Sequence, residues 1–241
     1  MKRNKELKNA ALKALNGHWG WVILVCIICG AIIGIIAAPS SISSAMSSFG
    51  SQGLGAGFGV AVAGLGLLFS GVSLAGNLFV SFPLQVGAIN SIKQFYKDSD
   101  IQTVQNMFRL GFGKGHYWRN ILGMFLVSLF TGLWTLLFIV PGIIKSYAYA
   151  LTPYILIDNP ELSPNEARLK SIEMMRGHKG KLFGLDLSFI GWILLGILSL
   201  GIGFIWITPY MKTTRAAFYC NLVEELNPQP AEEPATEAAA E

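Results

Sequence analysis

The chain contains three histidines, and each follows a glycine: Gly17-His18, Gly115-His116 and Gly177-His178. Imidazole near neutral pH shuttles protons or ligates metals. Cys26 and Cys29 share a helix face at i,i+3, and Cys220 stands far away. Zinc takes four nitrogen or sulfur ligands, and no further Cys or His lies at ligand spacing from this pair. The thiols therefore read as small packing residues. Each Gly-His pair reads as a helix stop followed by an amphipathic ring at the membrane surface. The sequence predicts no metal site and no cofactor.

Catalytic sets are also missing from the pattern. There is no Ser/His/Asp set, no close carboxylate pair and no HExxH. Gly111-Phe112-Gly113-Lys114-Gly115 lacks both the spacing and the following Ser/Thr of a phosphate-binding loop. No enzymatic activity is expected. The remaining chemical candidates are polar groups inside apolar runs, the default functional positions of a membrane protein. Ser70, Ser73, Asn77, Ser81 and Gln85 form one stripe at spacings of three and four, and Ser128, Thr131 and Thr135 form a second. These stripes read either as a polar path for a solute between two spans or as small polar residues bonding across a helix seam. The seam is favoured, because no carboxylate or histidine joins them. Lys145 and Asp186 are two charges set within spans.

The elements that must hold these residues follow from composition. Of 241 residues, 52% are hydrophobic and 13% are charged, against about 25% charged in an average soluble domain. No Lys, Arg, Asp or Glu occurs between Lys13 and Lys93. So little charge cannot cover a water-exposed surface, which excludes a cytosolic enzyme, a secreted disulfide scaffold and a disordered chain. Residues 1–222 hold 18 bases and 8 acids, while residues 223–241 hold six Glu and no base. The basic portion suits anionic lipid headgroups. It lacks the pattern of a nucleic-acid site.

A helix needs about 20 apolar residues to cross the bilayer core. The first such segment is 19–38. A Ser/Gly stretch, Pro39–Gly66, reads as a flexible outer loop, because glycine at this density is costly in a helix. The second span is 67–92, kinked at Pro83. Two longer apolar stretches, 120–157 and 182–222, would each measure close to 60 Å as single helices, about twice the bilayer core. Val140-Pro141-Gly142 and Leu200-Gly201-Ile202-Gly203 divide them into spans 120–140, 143–157, 182–199 and 204–222. The expected fold is thus all-α, a polytopic transmembrane bundle of six spans in one domain, 1–222, followed by an acidic disordered tail, 223–241. With both termini cytoplasmic, 17 of the 18 bases lie inside, as the positive-inside rule demands. Lys145 alone falls near the outer face. Asp186 falls near the inner face, where Lys181 or Lys212 would neutralise it.

A short amphipathic stretch precedes each Gly-His pair. Leu7, Ala11 and Leu15 mark the first; Ile101, Val104 and Phe108 mark the second, behind a Ser99/Gln102 capping box; Ala167, Ile172 and Met175 mark the third, behind Ser163-Pro164-Asn165-Glu166. The implied unit is an interfacial helix, a Gly-His joint and a helical hairpin, repeated three times. In the third copy Arg168, Lys170, Arg176, His178, Lys179 and Lys181 are candidate headgroup contacts, with Ile172 and Met175 dipping into the interface. The functional expectation is a non-enzymatic plasma-membrane protein that organises lipids or a partner membrane protein. The alternative is a small transporter or exporter component using the stripes of spans two and three.

Several longer motifs carry a family resemblance. They are Val140-Pro141-Gly142-Ile143-Ile144-Lys145-Ser146-Tyr147, Asp158-Asn159-Pro160-Glu161-Leu162-Ser163, Met175-Arg176-Gly177-His178-Lys179, Leu187-Ser188-Phe189-Ile190-Gly191-Trp192, Gly201-Ile202-Gly203 and Thr208-Pro209-Tyr210. Together they resemble an uncharacterised family of bacterial integral membrane proteins, domain of unknown function 975. The resemblance is strong from about Arg119 to Leu222 and weaker from Met1 to Trp21. It implies an all-helical, multi-span plasma-membrane protein and brings no catalytic residues with it.

Overall fold

Four helical stretches are long and apolar enough to cross a bilayer: Trp19–Ile36, Gly64–Asp98, Tyr117–Leu137 and Lys179–Leu198. They come from a computed structural model that describes residues 3–50, 56–98, 103–113 and 115–226. Every regular element among the described residues is helical. In chain order these are α1 (Asn4–Leu15), α2 (Trp19–Gly50), α3 (Ala56–Gly76), a π-helical turn (Asn77–Ser81), α4 (Phe82–Asp98), α5 (Thr103–Phe112) and α6 (Tyr117–Leu137). There follow α7 (Ile139–Ala148), α8 (Thr152–Asp158), α9 (Pro164–Met174), α10 (Lys179–Leu187), α11 (Ile190–Leu198) and α12 (Phe204–Leu226). The expected disordered tail, 223–241, needs correction at its start, since 223–226 continue α12; the rest of it, the Ser99/Gln102 cap and Ile101 lie outside the described residues.

The expected outer loop needs correction. Helix α2 runs on to Gly50 and α3 begins at Ala56, so most of Pro39–Gly66 is helical. Glycine costs a helix only about 1 kcal/mol per residue against alanine, which lowers its propensity without forbidding it. The α2–α3 pair is close: a Cβ added at Gly76 would sit 2.6 Å from the Ile36 side chain. Small residues allow this kind of helix approach in membranes.

Pro83 does interrupt the second expected span, through the π-helical turn just before it. The first hairpin breaks at Phe138, whose backbone is extended (φ −154°, ψ 135°), three residues before the expected Pro141. Pro141 and Gly142 fall in the first turn of α7, where a helix has no intrahelical use for an N–H and tolerates proline. The second hairpin turns at Leu200 and Gly201, both with left-handed φ (54° and 90°). Two further breaks contain no glycine or proline of their own, at 149–151 between α7 and α8 and at 188–189 between α10 and α11, although Pro153 stands in the first turn of α8.

The packed core gathers the short helices against the starts and ends of the long ones. Leu7, Ala11 and Leu15 of α1 are all buried, as the i,i+4,i+8 pattern requires. In α9 Ala167 and Met175 are buried together with Arg168 and Ser171, and Ile172 is half-buried. In α5 the expected face is shifted: Met107 is fully buried, while Phe108 is exposed and stacks on Phe112. Helix α5 meets α4 through facing glycines, since a Cβ on Gly87 would strike the Met107 carbonyl and one on Gly111 would lie 2.6 Å from the Pro83 carbonyl.

Each glycine of the three Gly-His pairs has left-handed φ: Gly17 at 83°, Gly115 at 92° and Gly177 at 76°. In each case the histidine N–H donates to a carbonyl three residues back, from Leu15, Gly113 and Met175 respectively. Such a φ costs an L side chain about 1–2 kcal/mol, and a Cβ at these positions meets nothing. Gly177→Ala should therefore destabilise the purified protein by about 1–2 kcal/mol through backbone strain alone. Gly180→Ala, in the first turn of α10 and equally open to space, should be neutral or stabilising by up to about 1 kcal/mol. Thermal unfolding of both variants in one detergent checks the contrast.

Candidate functional site

Every helix break leaves carbonyls and N–H groups without helical partners, and in this fold side chains from other elements supply them. The Ser171 hydroxyl donates to the Ala148 carbonyl (2.8 Å) and accepts from the Leu151 N–H (3.3 Å), closing the gap between α7 and α8. Asn90 ties α4 to the first turn of α8 by donating to the Pro153 carbonyl at 2.7 Å, beside the break. Arg119 donates to the carbonyls of Leu156, Asn159 and Pro160 at the end of α8. Asn120 donates to Leu110 and Gly111 at the end of α5 (3.0 and 3.1 Å). Lys8 donates to the Ser188 carbonyl at 2.8 Å, and its ammonium lies 4.1 Å over the Phe189 ring. Partial burial lowers the Lys8 ammonium pKa from its ordinary value. The Tyr117 hydroxyl donates to the Phe79 carbonyl (2.8 Å), the acceptor four residues behind Pro83, which has no N–H to offer. Arg119 and Lys8 also place cations at helix C-termini, where the dipole favours them.

Two polar clusters remain after this. The first joins α4, α8 and α12: Lys93 pairs with Asp158, and Tyr219 donates to the other Asp158 oxygen at 2.6 Å. The Tyr219 ring stacks on Tyr154 with centroids 4.6 Å apart. The second joins α7, α10 and α12. Asp186 accepts from Arg215 at 2.7 and 3.1 Å and from the Tyr147 hydroxyl at 3.1 Å. A cavity of about 510 Å³ opens on this cluster; Lys212 and Tyr154 also line it, with Ile89, Leu182 and Phe218 forming apolar walls.

The structure distributes the sequence-derived candidates unevenly. The partner of Asp186 is Arg215, not Lys181 or Lys212. Arg215 is missing from the sequence-derived candidates, although an arginine inside an apolar run is as notable as Asp186 itself. Lys145 lies over the Trp134 ring at 4.9 Å. Arg168 is buried, donates to Asn165 (2.7 and 3.2 Å), and stacks 4.2 Å over Phe130. Lys170 donates to Asn159 at 2.9 Å. Arg176 and Lys181 are exposed, and His178 and Lys179 are half-buried. Met175 is buried in the protein core rather than turned toward the interface. In the capping box of α9, Glu166 accepts the Ser163 N–H at 2.7 Å, which lowers its carboxyl pKa.

The polar stripes have different neighbours. Asn77 and Ser70 bond back to carbonyls of their own helix turn, and Ser73 and Ser81 are buried without a partner among the described residues. Gln85 is half-buried. Thr131 and Thr135 line an open cleft of about 520 Å³ together with Ser146 and Tyr149 of the next hairpin arm. The three histidines stay apart: His18 meets Phe95 edge-on, His116 lies 3.5 Å from Arg119, and His178 Nδ1 is buried without a partner among the described residues. Cys29 is buried, and Cys26 and Cys220 are partly so.

Comparison with known families adds one finding. Residues 138–225 match the model of the family described as Protein of unknown function (DUF975). Over that segment, about a third of its length, the chain is similar to this family. No curated protein and no solved structure matches the chain. The DUF975 segment runs from α7 nearly to the end of α12, so α6 lies outside it. It contains both carboxylates of the polar clusters, Ser171, and all of the residues named above for the 510 Å³ cavity except Ile89.

The Asp186–Arg215 pair generates a test. Removing one partner strands a charge in an apolar setting, while removing both does not. Asp186→Leu or Arg215→Leu should each lower stability by about 1–3 kcal/mol, discounted because the Arg215 side chain is half exposed. The double variant should recover most of that loss. Thermal unfolding of the three variants is the measurement.

Proposed function

We propose that this chain is a six-span protein of the bacterial plasma membrane, with both termini cytoplasmic, that acts without enzymatic chemistry by holding anionic lipid headgroups against its basic cytoplasmic face. In this reading α7–α8 and α12 serve as the fourth and sixth spans. The three Gly-His joints are copies of one unit: a short helix, a left-handed glycine, a histidine, then a helix that enters an apolar stretch. The observation that carries the reading is the set of exposed bases beside these joints, Lys13, Arg109, Arg176 and Lys181. Aromatic residues support it. Trp21 and Trp118, just past the first two joints, are 44% and 64% exposed, as residues of an interfacial belt are.

The third joint makes the reading testable, because Arg168 and Lys170 already have protein partners and Arg176, Lys179 and Lys181 remain. At about 1 kcal/mol per base near an anionic surface, replacing all three by Gln should weaken retention of anionic lipid on the order of a hundredfold. The measurement is native mass spectrometry of the full chain released from nanodiscs of mixed neutral and anionic lipid. The difference should shrink as salt rises. Equal enrichment of anionic lipid on the wild type and the triple variant contradicts the reading.

A further inference from the structure

The cavity between α7–α8, α10 and α12 holds an unbalanced charge. It is lined by two cations, Lys212 and Arg215, and by one carboxylate, Asp186. Arg215 is committed to Asp186 through two hydrogen bonds. Lys212, three residues earlier on the same helix face, has no hydrogen-bond or ion-pair partner among the described residues. A cation within an apolar helix run is costly unless something compensates it. The Tyr147 hydroxyl, spent on Asp186, and the Ser146 hydroxyl, which donates to Ile143, carry no charge that would do so.

The rest of the cavity is apolar, with Ile89, Ile143, Leu151, Leu182 and Phe218 around the polar end. Its volume, about 510 Å³, falls within the roughly 300–1,000 Å³ of small-molecule sites. Ile143 lines the cavity and is about half exposed, so it stands at the mouth; Ile144 next to it on α7, and Phe183 and Leu187 next to the lining residues Leu182 and Asp186 on α10, are about half exposed too. In a membrane protein such exposed hydrocarbon faces acyl chains, which gives the mouth a lipid neighbour. Broken helices bordering a site of this kind are a recurrent way to build a ligand pocket at membrane depth, and the break at 149–151 contributes Ala150 and Leu151 to the wall.

We propose that this cavity binds a membrane-borne amphiphile with one anionic oxygen-rich head, a phosphate or a carboxylate. Lys212 is the charge partner of the head, and the Ile89, Leu182 and Phe218 walls receive its chain. The inference shares with the proposed function only the membrane setting; the bases at the third joint play no part in it.

The test uses the full chain purified in a neutral detergent, with dodecyl phosphate as the probe and binding followed by titration calorimetry. Dodecyl phosphate should saturate one site. Lys212→Gln should weaken that site by about tenfold or more, equivalent to the loss of one charge contact, and Lys212→Arg should restore it. Ile143→Trp, which narrows the mouth and leaves every charge in place, should also abolish binding, so the proposal survives a misfolded Lys212 variant. The triple Gln variant at Arg176, Lys179 and Lys181 should bind dodecyl phosphate as the wild type does, which separates this site from the cytoplasmic face. Dodecanol binding as tightly as dodecyl phosphate overturns the role of charge. Inorganic phosphate occupying the site equally well overturns the membrane source. Unchanged affinity in both Lys212→Gln and Ile143→Trp overturns the site itself.

Discussion

A peptide carbonyl with no donor inside a membrane costs several kcal/mol, and this fold breaks its helices at several places within or beside its apolar stretches. Everything else is arranged around meeting that demand. The breaks at 149–151 and 188–189, the end of α5, the end of α8 and the Pro83 interruption each receive a hydrogen bond from a side chain on another element. Ser171, Asn90, Arg119, Asn120, Lys8 and Tyr117 are those donors. Their positions explain why the short helices exist: α1 brings Lys8 to the α10–α11 break, and α9 brings Ser171 to the α7–α8 break. A helix that only lay on the membrane surface would not need its Ala167 and Met175 buried in the protein core, as they are here.

The same demand changes the meaning of the charges. In a soluble protein a lysine or arginine of this kind is surface. Here Lys8 and Arg119 sit on helix ends, Lys93 pairs with Asp158, Arg215 pairs with Asp186, and Arg168 stacks on Phe130. Two groups of bases among those without such a partner matter here. Exposed bases flank the Gly-His joints, and Lys212 faces a cavity. The proposed function and the further inference each rest on one of these two groups.

The left-handed joints are legible in the sequence, because a helix stop of this type is a local requirement that glycine meets most cheaply. So is the buried side of α1, whose apolar spacing has no competing pattern. The breaks at 149–151 and 188–189 are not legible. The segments Tyr149-Ala150-Leu151 and Ser188-Phe189 contain no glycine or proline, and their interruption is stabilised by Ser171, Asn90 and Lys8 from elsewhere. Pro39–Gly66 misleads for the opposite reason: glycine and serine signal a loop, but their propensity is a weak prior that α2 and α3 override. Asp186 is legible as an unusual residue, but its partner is not. Lys181, Lys212 and Arg215 are all plausible by spacing, and only the packing of α10 on α7 and α12 selects Arg215.

The central claim is that side chains from distant elements, rather than local propensity, hold the broken helices together. Hydrogen exchange of the full chain in nanodiscs, read by mass spectrometry, addresses it directly. In the wild type, amides across 147–158 should exchange slowly despite the break. In a variant with Ser171→Ala and Asn90→Leu, each lost hydrogen bond exposes about 1–3 kcal/mol of unmet polar cost, so exchange there should rise by roughly tenfold or more while α2 stays unchanged. Fast exchange across 147–158 in the wild type, or no local change in the variant, would contradict the account.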